Sequence, residues 1–142
     1  MKQQPLFFIL NALPLLLVLA ACGQGSTTNT ATTVQVTETE YQIASSRTLF
    51  SPGATYHFIV TNKGTIAHEF MIMPKSEGSV NGMSMGHMDR QALASIDNIN
   101  PGETKMLDYT FPPSTVNLHP ELACYLSGHY EAGMKQEVMV KV

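Results

Sequence analysis

From Thr33 to the carboxyl end, nearly every apolar run is short, alternates with polar residues and stops at Gly, Pro or Asn. An alternation of period two puts successive side chains on opposite faces of an extended chain, whereas a helix needs an apolar residue every three to four positions. The segments TVQVTET (33–39), YQIASSRTLF (41–50), ATYHFIVTN (54–62), HEFMIMP (68–74), LASIDNI (93–99), ETKMLDYTF (103–111), TVNLHPELACYL (115–126) and KQEVMVKV (135–142) read as about eight strands. Their spacing predicts an all-β domain, an antiparallel β-sandwich. Tyr56, Phe58 and Val60 share one face, with His57, Ile59 and Thr61 on the other; Val138, Val140 and Val142 oppose Glu137, Met139 and Lys141. SPGAT and NPGET carry Pro and then Gly at the two central positions of a type II turn. The one stretch suited to a turn or two of helix is MDRQALA (88–94), at the end of a Gly-, Ser- and Met-rich insertion, KSEGSVNGMSMGHMDRQA (75–92). Insertions of that length in a small domain tend to be functional or mobile.

Ahead of the strands, MKQQPLFFILNALPLLLVLAAC has a basic start, an apolar run from Leu6 to Ala21 and small residues before Cys22. This is the form of a secretory signal over 1–21. Asn11 and Pro14 interrupt the run, which argues against a spanning helix of about 20 apolar residues. LAAC resembles a bacterial lipobox, which implies lipidation of Cys22 and an exported chain, periplasmic or on the extracellular face, anchored to a bacterial membrane. The alternative is a cleaved, soluble periplasmic protein with a free Cys22. Residues 22–32, rich in Gly, Ser and Thr, suit a flexible tether to a single domain over 33–142. The net charge is −3, and the absence of a basic stripe argues against nucleic acid as a partner.

With Cys22 acylated, the domain has one cysteine, Cys124. An unpaired thiol in an oxidising compartment is a liability unless something holds it. ACYLSGHYEAGMK sets Cys124, His129 and Met134 at successive five-residue steps. Copper electron-transfer sites take two imidazoles, one thiolate and a weak axial thioether. The second imidazole should come from a distant strand, and His68, after the polar turn NKGT, is the best placed of the remaining histidines. Zinc would want four strong N or S ligands, and a dinuclear copper centre a second cysteine in the loop. Taken singly, each residue has a plainer reading: Cys124 as a small buried hydrophobe, Met134 as core, His68 and His129 as satisfied surface or strand-end histidines.

Taken together, C-x4-H-x4-M and an upstream G-x-x-x-H at a strand start resemble the cupredoxins, the blue-copper proteins that include auracyanin, azurin, plastocyanin and sulfocyanin. The resemblance covers residues 33–142. It implies a Greek-key β-sandwich and one type 1 copper, with His68, Cys124 and His129 in the plane and Met134 on the axis. Two residues depart from it. Ser127 stands where azurin-like loops commonly have proline, so its N–H becomes a candidate donor to the Cys124 thiolate. Tyr125 replaces a smaller polar residue.

Two functions compete. A lone copper centre with no acid/base pair points to a non-enzymatic, lipid-anchored carrier passing single electrons between redox protein partners. Copper sequestration, delivery or resistance, in concert with copper-handling proteins, is the alternative. It draws on Met83, Met85, His87 and Met88 as a possible second Cu(I) site, with Met71 and Met73 one strand away. Those methionines equally suit a hydrophobic cover over the end of the domain. His57 and His119 are not expected to be ligands.

Overall fold

The computed structural model describes residues 31–75 and 85–142. The expected signal segment, Cys22, most of the expected tether and Met83 lie outside the described residues. β1 (Thr32–Thr39), β2 (Gln42–Ser45), β4 (Thr55–Asn62) and β7 (Thr104–Thr110) form one sheet in the order β2-β1-β4-β7. A second has the order β6-β5-β8-β9, from β5 (His68–Met73), β6 (Ala94–Ile99), β8 (Glu121–Ala123) and β9 (Lys135–Glu137). β3 (Leu49–Phe50) and β10 (Met139–Val140) pair separately, and α1 (Met85–Gln91) precedes β6.

The alternation of β4 is realised: Tyr56, Phe58 and Val60 are buried between the sheets with Val34, Val36, Phe70, Ile72, Phe111 and Leu122. Both Pro-Gly turns form as expected. Gly53 and Gly102 have φ of +75° and +77°, and the Glu103 N–H donates to Asn100 O at 2.9 Å. α1 supplies the short helix expected near residues 88–94.

Four expectations change. The sandwich is mixed rather than antiparallel, because β1 runs parallel to β4 and β10 parallel to β3. Alternation tells which side chains face inward and nothing about the direction of the neighbouring strand. The described residues form ten strands, not about eight: 41–50 splits where Ser45 Oγ donates to Arg47 O and the chain changes sheets, and 135–142 splits where the Val138 N–H turns to Pro120 O. Of 115–126 only 121–123 is strand, since Pro113 starts a 3-10 turn, Asn117 takes φ +63°, and Pro120 has no N–H for a ladder. Val142 lies beyond the last strand and is exposed rather than facing inward with Val138 and Val140.

β5 is buried along its whole length. Phe70 and Ile72 enter the main core, while Met71 and Met73 join a second cluster with Met88 of α1, Ala123, Tyr125 and Tyr130. This strand carries His68 at its start, so the candidate ligand is anchored on a two-sided, rigid element.

Candidate metal centre

His68, Cys124 and His129 meet at one end of the sandwich, each buried, with a ligand atom of each within 4.8 Å of the others. His129 Nδ1 lies 3.3 Å from both His68 Nδ1 and Cys124 Sγ. Among the described residues this is the one group of three or more His, Cys, Asp or Glu side chains able to hold a metal.

Local sequence explains the convergence. Asn62, buried at the end of β4, accepts from the Gly64 N–H at 2.8 Å and donates through Nδ2 to Ile66 O and Ile99 O, folding the 62–68 loop back so that His68 points inward. A Cβ at Gly64 would come within 2.9 Å of Glu40 Oε1 and 3.1 Å of His68 Nε2, so this position needs glycine for space. The carboxylate of Glu40 accepts from both the backbone N–H and the hydroxyl of Thr65, clamping the same loop.

The five-residue steps of the second loop have a backbone cause. The Met134 N–H donates to His129 O at 3.0 Å, and the Cys124 N–H donates to Met134 O at 3.1 Å. The three candidate ligands are thus tied to one another through the main chain. Gly128 and Gly133, at φ +83° and +105°, make the tight turns on either side of His129. Met134 is fully buried in the main core beside this group.

The backbone N–H groups that reach Cys124 Sγ are those of Glu69 and Leu126. The donor expected at Ser127 is therefore supplied one residue earlier, by the amide two positions after the cysteine, which turns back onto its side chain. Tyr125 points away from the centre and stacks on Tyr130 at 4.5 Å. Its own N–H donates to Glu69 Oε1 at 2.8 Å, joining the cysteine loop to the strand that bears His68. Tyr41, in the β1–β2 turn, meets the His129 ring edge-on at 5.5 Å.

The electrostatics suit a cation. Burial pushes the Cys124 thiol up to about 11 despite its two backbone donors. Burial also lowers His68, with a further push from His129, and lowers His129 itself, leaving both rings neutral with lone pairs available at neutral pH. A bound metal would replace the thiol proton. One thiolate, two imidazoles and a thioether are the donor set of a type 1 copper site, too soft for calcium or magnesium and one strong ligand short of a structural zinc site.

The other histidines pair elsewhere: His57 Nδ1 with Asp108 Oδ1 across β4 and β7, and His119 Nδ1 with Glu137 Oε1 at 2.9 Å. Of the proposed second-site residues, Met85 and His87 fall in α1, and Met88 is buried against Met71 and Met73. Asn62, Glu69, Glu40 and Tyr41 escaped the sequence reading. Only the turn character of Asn62 and Gly64 gave any signal.

The fold is that of the cupredoxins. The chain is similar to auracyanin A, a blue copper protein from Chloroflexus aurantiacus, with a TM-score of 0.61 and 16% identity over 78% of this chain and 99% of that one. It is similar also to reduced auracyanin from Roseiflexus castenholzii, at TM-score 0.59 and 18% identity over 79% and 98% of the two chains. An azurin from Methylomonas sp. strain J matches at TM-score 0.57 and 16% identity over 78% and 98%. Among curated sequences, the copper-resistant cuproprotein CopI of Pseudomonas aeruginosa is 28% identical in a match covering 63% of this chain. The match takes in 65% of CopI, less than two thirds of its length. No family model matches the chain.

Proposed function

We propose that the protein is an exported, lipid-anchored, non-enzymatic electron carrier with one mononuclear type 1 copper held by His68, Cys124, His129 and Met134. The observation that carries this reading is the approach of two neutral imidazoles and a buried thiol to within 4.8 Å of one another, His68 held by the Asn62 and Glu40 side chains and the 124–134 loop by backbone hydrogen bonds. Copper in such a donor set supplies one-electron exchange between Cu(II) and Cu(I). The protein's contribution is rigidity. The clamp around His68 and the ties among Cys124, His129 and Met134 hold the donors in place whichever ion charge they face, which keeps reorganisation small. His129 is 9% exposed against 0% for His68, so its edge, beside Tyr41, is the side nearer to a redox partner.

The test is the visible spectrum of the Cu(II)-loaded protein. An intense thiolate-to-copper band is expected from wild type and none from Cys124→Ser, since an alcohol is a poor donor. A band that persists in the variant excludes this assignment. Anchoring at Cys22 is read from detergent phase separation: wild type should enter the detergent phase and Cys22→Ser should not appear there as processed protein. Among the described residues no helix is long and apolar enough to cross a membrane.

The likeness to CopI favours a second reading, copper handling in resistance, with copper-delivering or copper-accepting proteins as partners. Under it, Met83, Met85, His87 and Met88 supply an additional Cu(I) site. A second copper equivalent lost on changing Met83 and Met85 to Leu would support that version. Saturation at one equivalent favours the carrier.

A further inference from the structure

Buried methionine is distributed unevenly among the described residues. The main core is built from Val, Ile, Leu, Phe and Tyr, and its one methionine is Met134, the candidate axial ligand. The second cluster holds three, Met71, Met73 and Met88, with Tyr125, Tyr130 and Ala123, and has no buried Val, Ile, Leu or Phe. Methionine fills irregular gaps well, but apart from Cys124 and Met134 the main core is filled with branched and aromatic side chains. A second observation concerns polarity. The Tyr125 hydroxyl is buried in this cluster beside that of its stacked neighbour Tyr130, which donates its own proton to Glu121 Oε2 at 2.8 Å. With the Tyr130 proton committed to Glu121, the Tyr125 hydroxyl can only donate to Tyr130, which leaves its own lone pairs to face a cation.

We propose that Met71, Met73 and Met88, with the Tyr125 hydroxyl beside them, form a second buried site for Cu(I), separate from the centre at His68, Cys124 and His129. Met71 and Met73 lie two residues apart on β5 and leave the same face of the strand, and Met88 covers them from α1. Three neutral thioethers are the ligands that select a soft monovalent ion over Zn(II) or Cu(II). Glu69, two positions before Met71 and 5% exposed, places a carboxyl on the same strand, where it can offset a single positive charge. Met88 therefore belongs with Met71 and Met73 rather than with the loop methionines that precede it in sequence. The proposal stands apart from the blue centre and does not need it.

The test is anaerobic titration of the full-length protein with Cu(I) against a chromophoric Cu(I) chelator. Wild type should take two equivalents, and the triple variant Met71→Leu, Met73→Leu, Met88→Leu one, with Cu(II) still developing the thiolate band in that variant. A wild type that stops at one equivalent, or a second equivalent that survives the triple change, overturns the site. Cys124→Ser should still bind Cu(I) at the cluster, so loss of the blue centre and loss of this site read separately. A further measurement covers poor folding of the triple variant: Ag(I) added to wild type carrying 13C-methyl methionine, loaded with a single equivalent of Cu(II) at the thiolate centre and then reduced. Shifts at the Met71, Met73 and Met88 methyls are expected, and shifts confined to other methionines overturn the proposal.

Discussion

Glu69 shows how much one side chain next to a ligand can do. It follows His68, its N–H reaches Cys124 Sγ, and its carboxyl accepts the N–H of Tyr125 at 2.8 Å. Two strands that are far apart in sequence are joined by this residue at the point where the metal donors meet. Glu69→Ala would leave the buried Tyr125 N–H without an acceptor, at a cost of about 1–3 kcal/mol. Glu69→Gln keeps a carbonyl oxygen there and should restore most of it. Urea unfolding of the metal-free proteins measures the difference, and equal stability of the Ala and Gln variants would show that the bond contributes nothing. The candidate ligands themselves were legible in the sequence because their types and spacing are chemically unusual together. Glu69 was not, since a glutamate beside a strand start has no distinctive pattern until its partner is known.

At the scale of elements, turns and strand faces were the readable features. Gly102 sits at φ +77° in the turn before β7, and a Cβ there would touch nothing within 4 Å. Gly102→Ala therefore isolates the backbone cost of a left-handed conformation, about 1 kcal/mol, and should lower the Tm by a few degrees in calorimetry. An unchanged Tm would mean the turn relaxes to another type. Strand ends were less readable. Residues 115–120 alternate well enough to pass for strand, yet the 3-10 turn at Pro113–Thr115 and the proline at 120 leave only Glu121–Ala123 in the ladder. Pairing decides where a strand stops, and pairing is a property of the neighbour.

For the whole molecule, the most consequential feature outside the centre is Glu38. It continues the inward-facing row of Val34 and Val36, and both its carboxyl oxygens are fully buried without a hydrogen bond. Burial, helped by the nearby Glu69, pushes its pKa up from 4.5 to about 8. The folded state therefore holds a proton that the unfolded chain releases above pH 4.5. The stability associated with this group is fully present below that pH, falls as pH rises, and is gone above about 8. Across that window the slope approaches 1.4 kcal/mol per pH unit, roughly, for one proton. Glu38→Gln removes the dependence, so its stability relative to wild type should climb steadily from pH 5 to pH 8 in urea titrations. A difference that stays flat with pH would show that Glu38 is solvated or paired in solution.

The sequence by itself determined the class of fold and the candidate donors, because both rest on local chemistry. A period of two states which side chains face inward, proline and glycine state where the chain turns, and one cysteine with histidine and methionine at fixed steps states what metal would fit. Tertiary structure decided the rest. Whether β1 lies parallel or antiparallel to β4, which backbone amides reach Cys124, and that Met88 turns inward to Met71 and Met73 all depend on which distant segments come together. Those juxtapositions leave no mark on any single stretch of the chain, since the energy that fixes them comes from burial and hydrogen bonds between residues many positions apart.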